Sequence, residues 1–231
     1  MTTPYKYVFF DLDRTLWDFE SNSVLTFKEI FENRKLYNIF PNFDTFIKTY
    51  KIINEKLWDK YRKGEISKNE LRTNRFLLTL NKFKVNDIKL AENIGTDYIN
   101  ESPKKTEVFP YTYELLDYLA PKYNLAILTN GFKEVQTSKL KNCNLDKYFT
   151  KLICSEDTGY QKPNPKIFQY ALSSLNAKKA ESIMIGDDLK VDIIGANNFK
   201  IDTIYCNFIN AEKSDIPTYQ ISSLKEIIKI L

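Results

Sequence analysis

The sequence contains no histidine among its 231 residues. This absence excludes Ser-His-Asp triads, Cys-His pairs, HExxH zinc sites and catalysis by a histidine general base. Any catalysis must use carboxylates, hydroxyls, lysines, thiols or a metal ion. The three cysteines, Cys143, Cys154 and Cys206, are an odd number without CxxC spacing, which indicates neither a disulfide framework nor a zinc cluster. We interpret them as core or partly buried thiols.

Long apolar runs are absent too. None approaches the ~20 residues needed to span a bilayer, and residues 1–6 lack the basic and then apolar pattern of a signal peptide. We therefore expect a cytoplasmic protein without membrane contact. A net charge of +4, from 34 basic and 30 acidic side chains, gives little support for a nucleic-acid polymer as partner.

The chain changes character along its length. Residues 5–10 form a short β-prone run that ends at Asp11. From about residue 18 to residue 106, apolar side chains recur at helical spacing, and Ser67 with Glu70 reads as a capping box. After Pro110 the pattern alternates between strands and helices. Strands are predicted at 125–129, 152–154, 182–186 and 202–206, and helices near 113–119, 135–140, 167–175 and 193–197 and after Ser223.

This alternation predicts a parallel sheet covered on both faces. The predicted fold is therefore α/β, a doubly wound, Rossmann-like parallel sheet with a helical unit inserted after the first strand. Residues 1–16 and 107–231 would form the core domain, and residues 17–106 the insert. An insert of ~90 residues is too long for a loop, so we expect it to fold as a second domain.

Polar groups follow three of the predicted strands, and the carboxyl ends of parallel strands form the binding crevice of such sheets. Each group alone is a common turn or helix cap. Together they predict a site, and clustered carboxylates without histidine suit Mg²⁺ when a phosphate completes its coordination. Lys162 could then oppose the carboxylates and the phosphate. The three groups are Asp11 with Asp13, Thr129-Asn130-Gly131, and Gly186-Asp187-Asp188.

These residues belong to four motifs in a familiar order. The motifs are Asp11-Leu12-Asp13-Arg14-Thr15, Leu128-Thr129-Asn130-Gly131, Lys162-Pro163, and Gly186-Asp187-Asp188 through Asp192. On these motifs the sequence resembles the haloacid-dehalogenase-like (HAD) hydrolase superfamily, over essentially the whole chain.

The resemblance implies a role for each motif residue. Asp11 would be the nucleophile that forms an aspartyl-phosphate, and Asp13 the general acid and then the general base. Mg²⁺ would bind a carboxylate oxygen of Asp11, the backbone carbonyl of Asp13 and the side chain of Asp187. Thr129 and the Asn130 N–H would donate hydrogen bonds to the phosphate, and Lys162 would neutralise negative charge. Asp192 would orient Lys162 or the waters on the metal, and Asp188 would be structural. Arg14 departs from the glycine that is usual at its position.

Several reactions fit this scaffold. We expect a Mg²⁺-dependent phosphomonoester phosphatase, with a phosphomutase or a non-catalytic binding protein as alternatives. A haloacid dehalogenase is disfavoured because that branch replaces the second aspartate, whereas Asp13 is present here. A transport ATPase of this chemistry would need membrane spans.

Finer details resemble the nucleotidases that act on pyrimidine nucleoside 5′-monophosphates, although phosphatases acting on phosphoglycolate or sugar phosphates share some of them. The resemblance further implies that the insert acts as a cap, that the partner is a small-molecule phosphomonoester, and that the protein is a monomer or weak homo-oligomer. The matching residues are Leu16-Trp17-Asp18-Phe19 with Asn22 and Ser23, Lys63-Gly64-Glu65-Ile66 with Leu71, Arg75-Phe76, and Ser155 through Pro163.

Overall fold

The computed structural model describes residues 5–209 and 214–231. Residues 1–4, part of the segment expected to lack a signal peptide, lie outside the described residues. The chain divides into two compact units, Met1–Phe19 with Thr106–Leu231 and Glu20–Lys105. That each unit is a domain which folds on its own stays a prediction. Within the described residues, no helix is both long and apolar enough to cross a membrane.

The first unit contains a six-stranded sheet in the order β3-β2-β1-β4-β5-β6. Every neighbouring pair of strands is parallel, which confirms the predicted α/β class. The four predicted strands beyond the first are confirmed, and the short edge strand β6 was not predicted. The strands are β1 (Tyr7–Phe10), β2 (Asn124–Thr129), β3 (Lys151–Cys154), β4 (Ser182–Gly186), β5 (Asp202–Cys206) and β6 (Tyr219–Ile221).

Apolar side chains alternate between the two faces of the sheet, as successive residues of a strand must. Val8 and Phe10 of β1 join one buried cluster, whereas Phe9 joins another. The first cluster includes Leu116 and the second includes Phe168, each from a helix on that face. The sheet is therefore covered on both faces, and a doubly wound core is confirmed.

The described residues contain eight α-helices, in the insert and around the sheet. A π-helical turn, Leu189–Ile194, precedes the last of them. The predicted terminal helix is a 3₁₀ segment instead, Leu224–Lys229, although Ser223 and Glu226 form its capping box. The helices are α1 (Phe19–Asn33), α2 (Phe43–Arg62), α3 (Lys68–Asn81), α4 (Ile88–Glu101), α5 (Thr112–Leu119), α6 (Lys133–Asn142), α7 (Pro165–Ser174) and α8 (Gly195–Asn198).

The second unit is all-helical and packs around aromatic rings. The Phe27 ring stacks on the Tyr98 ring at a centroid distance of 4.6 Å and lies 5.6 Å from the Phe46 ring. The predicted capping box is confirmed, since Ser67 accepts from the Glu70 N–H and Glu70 accepts from the Ser67 N–H. Aromatic burial of this kind supplies much of the stability of a small helical unit.

We expect Phe27→Ala to lower the free energy of unfolding by about 3–5 kcal/mol, through lost burial and the cavity left behind. Leu25 lies on the same helix with 44% of its surface exposed, so Leu25→Ala is the matched control. The control should change the free energy by less than about 0.5 kcal/mol. Urea unfolding followed by circular dichroism measures both variants, and equal losses would contradict the central position of the Phe27 ring.

Candidate active site

The strands bring the predicted residues to one edge of the sheet. The last residue of β1, Phe10, is paired with Ile127 of β2 and with Ile185 of β4. The N–H of Asp11 continues this pairing by donating to the Ile185 carbonyl at 2.9 Å. In the strand order 3-2-1-4-5-6 the chain reverses direction across the sheet between β1 and β4, where doubly wound folds form their crevice. Asp11 therefore lies at that crevice.

A buried lysine connects the strand ends. Lys162 is 1% exposed, and its Nζ donates to Asp11 Oδ1 and to the Leu128 carbonyl, both at 2.7 Å. The same Nζ lies 2.7 Å from Asp192 Oδ1. The ammonium therefore forms two hydrogen bonds and one ion pair. Lys162 thus ties the ends of β1 and β2 to the segment that follows β4.

Three carboxylates converge beside this lysine. Oxygens of Asp11, Asp187 and Asp192 lie within 4.8 Å of one another. The Thr15 hydroxyl donates to Asp187 Oδ1 at 3.4 Å. Of the predicted metal side chains, Asp11 and Asp187 are therefore brought together, and Asp192 joins them. Three ionised carboxylates against one ammonium would leave about two negative charges, which suits a divalent cation with oxygen ligands.

Burial sets the ionisation of this cluster. It raises the pKa of Asp11 to about 7, an effect that the Lys162 ammonium opposes and the Asp192 carboxylate reinforces. Burial also raises the pKa of Asp187, with the Asp192 and Asp11 carboxylates adding to the effect. The pKa of Asp192 is raised by burial in the same way, against the effect of Lys162. Burial lowers the pKa of Lys162, but the Asp11 and Asp192 carboxylates raise it by more. The net effect is a raised pKa, so the ammonium stays charged.

Thr129 and Asn130 lie at the end of β2 with their side chains engaged. Thr129 Oγ1 accepts from the Gly131 N–H at 3.0 Å and from Gln136 Nε2 at 2.9 Å. The Asn130 side chain makes two hydrogen bonds to the backbone of Lys162. Its Nδ2 donates to the carbonyl at 3.0 Å, and its Oδ1 accepts from the N–H at 2.8 Å. The Asn130 side chain therefore holds the loop that carries Lys162, a contact that was not predicted from the sequence.

Asp13 has different partners from the three clustered carboxylates. Its Oδ1 forms an ion pair with Lys139, and its Oδ2 accepts from Gln136 Nε2 at 3.0 Å. Both partners lie on α6 and were not predicted from the sequence. Their spacing of three residues on the helix after Thr129 is the signal that could have placed them on one face.

Two glycines allow close approaches at these strand ends. A Cβ on Gly131 would collide with the Gln136 side chain, and one on Gly186 would collide with the Asp192 carboxylate. Because no rotamer change of a larger residue removes its Cβ, only glycine fits at either position without a shift of the neighbour. The motif glycines therefore make room for the polar side chains of the site.

Asp188 has a structural place, as expected. Its Oδ1 accepts from the N–H groups of Lys190 and Val191 at 2.9 and 3.0 Å, which caps the π-helical turn. The neighbouring Asp187 faces the carboxylate cluster instead. The two adjacent aspartates therefore have different contacts.

Arg14 occupies the left-handed region with φ 63°, where glycine is favoured. Its guanidinium carbon lies 4.3 Å from the centroid of the Phe19 ring, and the residue is exposed. This cation–π contact directs the arginine side chain along the surface of its own unit.

The chain is similar over its whole length to enzymes that act on phosphate esters. Pyrimidine 5′-nucleotidase YjjG of Escherichia coli is 31% identical over 230 residues, covering 98% of this chain and 98% of that protein. Glyceraldehyde 3-phosphate phosphatase of Pyrococcus furiosus is 29% identical over 232 residues, covering 98% of this chain and 92% of that protein.

Solved structures share the fold. The HAD-hydrolase YfnB of Bacillus subtilis, solved with magnesium bound, aligns with a TM-score of 0.88 at 28% identity, covering 98% of each chain. L-2-haloacid dehalogenase of Xanthobacter autotrophicus aligns with a TM-score of 0.73 at 18% identity, again over 98% of each chain, which shows a common fold alone.

The family comparison covers the sheet from the second residue of β1 to the end of β5. The family model described as haloacid dehalogenase-like hydrolase matches residues 8–206. This range contains all four motifs and the insert between the first and second of them. The chain therefore belongs to the haloacid dehalogenase-like hydrolase family.

Proposed function

We propose that this chain is a Mg²⁺-dependent phosphomonoester phosphatase that works through an aspartyl-phosphate on Asp11. The observation that carries the proposal is the Lys162 ammonium, which holds Asp11 and Asp192 beside Asp187 at the strand ends. A second carboxylate, Asp13, follows Asp11 by two residues with different partners. One carboxylate that attacks and another that moves protons need such separate environments.

In the first step an oxygen of Asp11 attacks phosphorus while the bond to the leaving alkoxide breaks. Because Lys162 holds Oδ1 at 2.7 Å, Oδ2 would be the attacking oxygen. Asp13 donates a proton to the alkoxide, which leaves as an alcohol. The covalent step replaces one difficult displacement by two easier ones.

In the second step a water molecule attacks phosphorus and Asp13 takes its proton. The bond from phosphorus to Asp11 breaks, so inorganic phosphate leaves and the Asp11 carboxylate is restored. Thr129, the Asn130 N–H and Lys162 would bind the equatorial oxygens, where negative charge accumulates in phosphoryl transfer. No histidine is required at any step.

The residues at the strand ends fit a divalent cation. Asp11, the backbone carbonyl of Asp13 and Asp187 would hold Mg²⁺, and Asp192 would orient Lys162 through the ion pair at 2.7 Å. The cation would reduce the repulsion between the Asp11 carboxylate and the phosphate dianion and favour the ionised nucleophile.

We propose pyrimidine nucleoside 5′-monophosphates as the substrate class. The similarity to a pyrimidine 5′-nucleotidase at 31% identity over nearly the full length supports this choice. Sugar phosphates are the second candidate, because a glyceraldehyde 3-phosphate phosphatase is 29% identical over a similar length. A dehalogenase remains disfavoured by Asp13, since halide departs without a proton.

A substrate panel tests the proposed reaction. We expect Mg²⁺ to support phosphate release from UMP, dUMP and dTMP faster than from glyceraldehyde 3-phosphate or phosphoglycolate, with no chloride release from 2-chloropropionate. EDTA should abolish release, and Asp11→Asn should lower it at least about 10³-fold because the nucleophile is lost. Activity that persists in Asp11→Asn would overturn the mechanism, whereas a preference for sugar phosphates would change only the substrate.

Two adjacent aspartates provide a matched test of the metal site. Asp187→Asn should raise the Mg²⁺ concentration for half-maximal rate at least about 10-fold, since even indirect partners of metal ligands cost this much. Asp188→Asn should leave it unchanged, because asparagine caps a helix as well as aspartate does. Calorimetric titration with Mg²⁺ measures both variants without substrate. Equal affinities in the two variants would remove Asp187 from the site.

The metal-free protein should lose stability as pH rises from about 4 to about 7. Between the ordinary pKa of 3.8 and the raised value of about 7, the folded protein keeps a proton on Asp11 that the unfolded chain has released. This contribution is fully present at low pH and declines by up to about 1.4 kcal/mol per pH unit for each such group. Asp187 adds to the decline because its pKa is raised too.

Thermal unfolding in EDTA measures this decline, and no histidine titrates in the same range. Between about pH 5.5 and about pH 7.5 the midpoint temperature of unfolding should fall for the wild type, and it should fall less for Asp187→Asn. Asp44→Asn, at an exposed position, should follow the wild type. Mg²⁺ should raise the midpoint mainly at the higher pH, because it binds ionised carboxylates. Equal midpoints at both pH values would contradict the raised pKa values.

A further inference from the structure

Helix α6 points two polar side chains into the protein. Gln136 is fully buried and Lys139 is 4% exposed. They are three residues apart and so lie on one face of the helix. Amide and ammonium groups are rarely this buried unless they have specific partners, because desolvation is costly. Their partners therefore explain why they are there.

Both side chains end on the same carboxylate. Lys139 forms an ion pair with Asp13 Oδ1, and Gln136 Nε2 donates to Asp13 Oδ2 at 3.0 Å. One helix thus holds both oxygens of Asp13. Each carboxylate oxygen has two lone pairs, so one on each oxygen stays available for a substrate proton. The side chain is fixed without being blocked.

Aromatic rings complete the surroundings of the lysine. Lys139 Nζ lies 3.9 Å from the Trp17 ring centroid and 5.9 Å from the Phe19 ring centroid. Within residues 5–209 and 214–231, Asp13 is the carboxylate that pairs with this ammonium. Trp17 is fully buried, so it restricts where the ammonium can go. The position of Lys139, and through it that of Asp13, is therefore narrowly defined.

Gln136 also links Asp13 to a second part of the site. Its Nε2 donates both to Asp13 Oδ2 at 3.0 Å and to Thr129 Oγ1 at 2.9 Å. Gly131 leaves the space that the Gln136 side chain occupies. The Gln136 amide therefore holds both Asp13, the proposed proton-transfer residue, and the Thr129 hydroxyl, which is expected to bind the phosphate.

We propose that Lys139 and Gln136 are positioning residues that fix Asp13 for proton transfer to and from the substrate oxygen. This inference rests on the proposed phosphatase function. A misplacement of a reacting group by about 1 Å can cost about 10²-fold in rate. Loss of Lys139 should therefore slow the steps that need Asp13 and spare those that do not.

Two leaving groups separate these steps. UMP releases a poor alkoxide that requires a proton, whereas 2,4-dinitrophenyl phosphate releases a phenolate that does not. We expect Lys139→Met to lower kcat for UMP by about 10- to 10²-fold with little change in KM, because positioning is lost. The pre-steady-state burst of dinitrophenolate should keep its wild-type rate. Lys139→Arg, which retains a cation, should recover part of the rate with UMP.

Controls separate positioning from folding. Lys141 is exposed on the same helix, and Lys141→Met should match the wild type with both esters. Thermal unfolding and Mg²⁺ titration calorimetry identify any variant that is unfolded or has lost the metal. If Lys139→Met does not fold, Lys139→Gln provides the same comparison, with the same selective loss expected.

The outcomes are distinct. In a folded variant, a dinitrophenolate burst that slows as much as kcat for UMP, or an unchanged kcat for UMP, would overturn the positioning role while the wild type remains a phosphatase. No Mg²⁺-dependent hydrolysis of either ester by the wild type would overturn the proposed function itself, and this inference with it.

Discussion

The site depends on one buried ammonium. Lys162 donates to Asp11, lies within ion-pair distance of Asp192, and donates to the Leu128 carbonyl, each at 2.7 Å. Without this charge, two buried carboxylates would repel each other at the end of the sheet, and breaking such a pair by removing one partner is strongly destabilising. Lys162 therefore allows the sheet to carry several acidic groups at one edge, as the proposed cation and phosphate site requires.

Much of the fold could be predicted because its signals are local. Apolar runs bounded by polar residues identified the strands from β1 to β5, and the capping box at Ser67 identified the start of α3. The edge strand β6 has three residues and is only partly buried, so it carries little hydrophobic pattern. The 3₁₀ form of Leu224–Lys229 was not predicted, because its capping box is equally compatible with an α-helix.

The site could be predicted only in part. Asp11 and Asp187 follow strands directly and Thr129 ends one, so their meeting at one edge follows from a parallel sheet. Gln136 and Lys139 could not be placed this way, because lysine and glutamine on a helix are usually solvated. Their burial depends on how α6 packs, which is a tertiary property. The separate environments of Asp11 and Asp13 therefore emerge from the fold, although the two residues are almost adjacent in sequence.

The most direct test is to trap the covalent intermediate. In Asp13→Asn, 2,4-dinitrophenyl phosphate should still phosphorylate the enzyme, since its leaving group needs no proton, but hydrolysis of the intermediate should stall. Acid quench and peptide mass spectrometry should then find the added mass of HPO₃ on Asp11 in Mg²⁺ and none in EDTA. A burst of dinitrophenolate with no phosphate on Asp11, or with phosphate on another residue, would contradict Asp11 as the nucleophile.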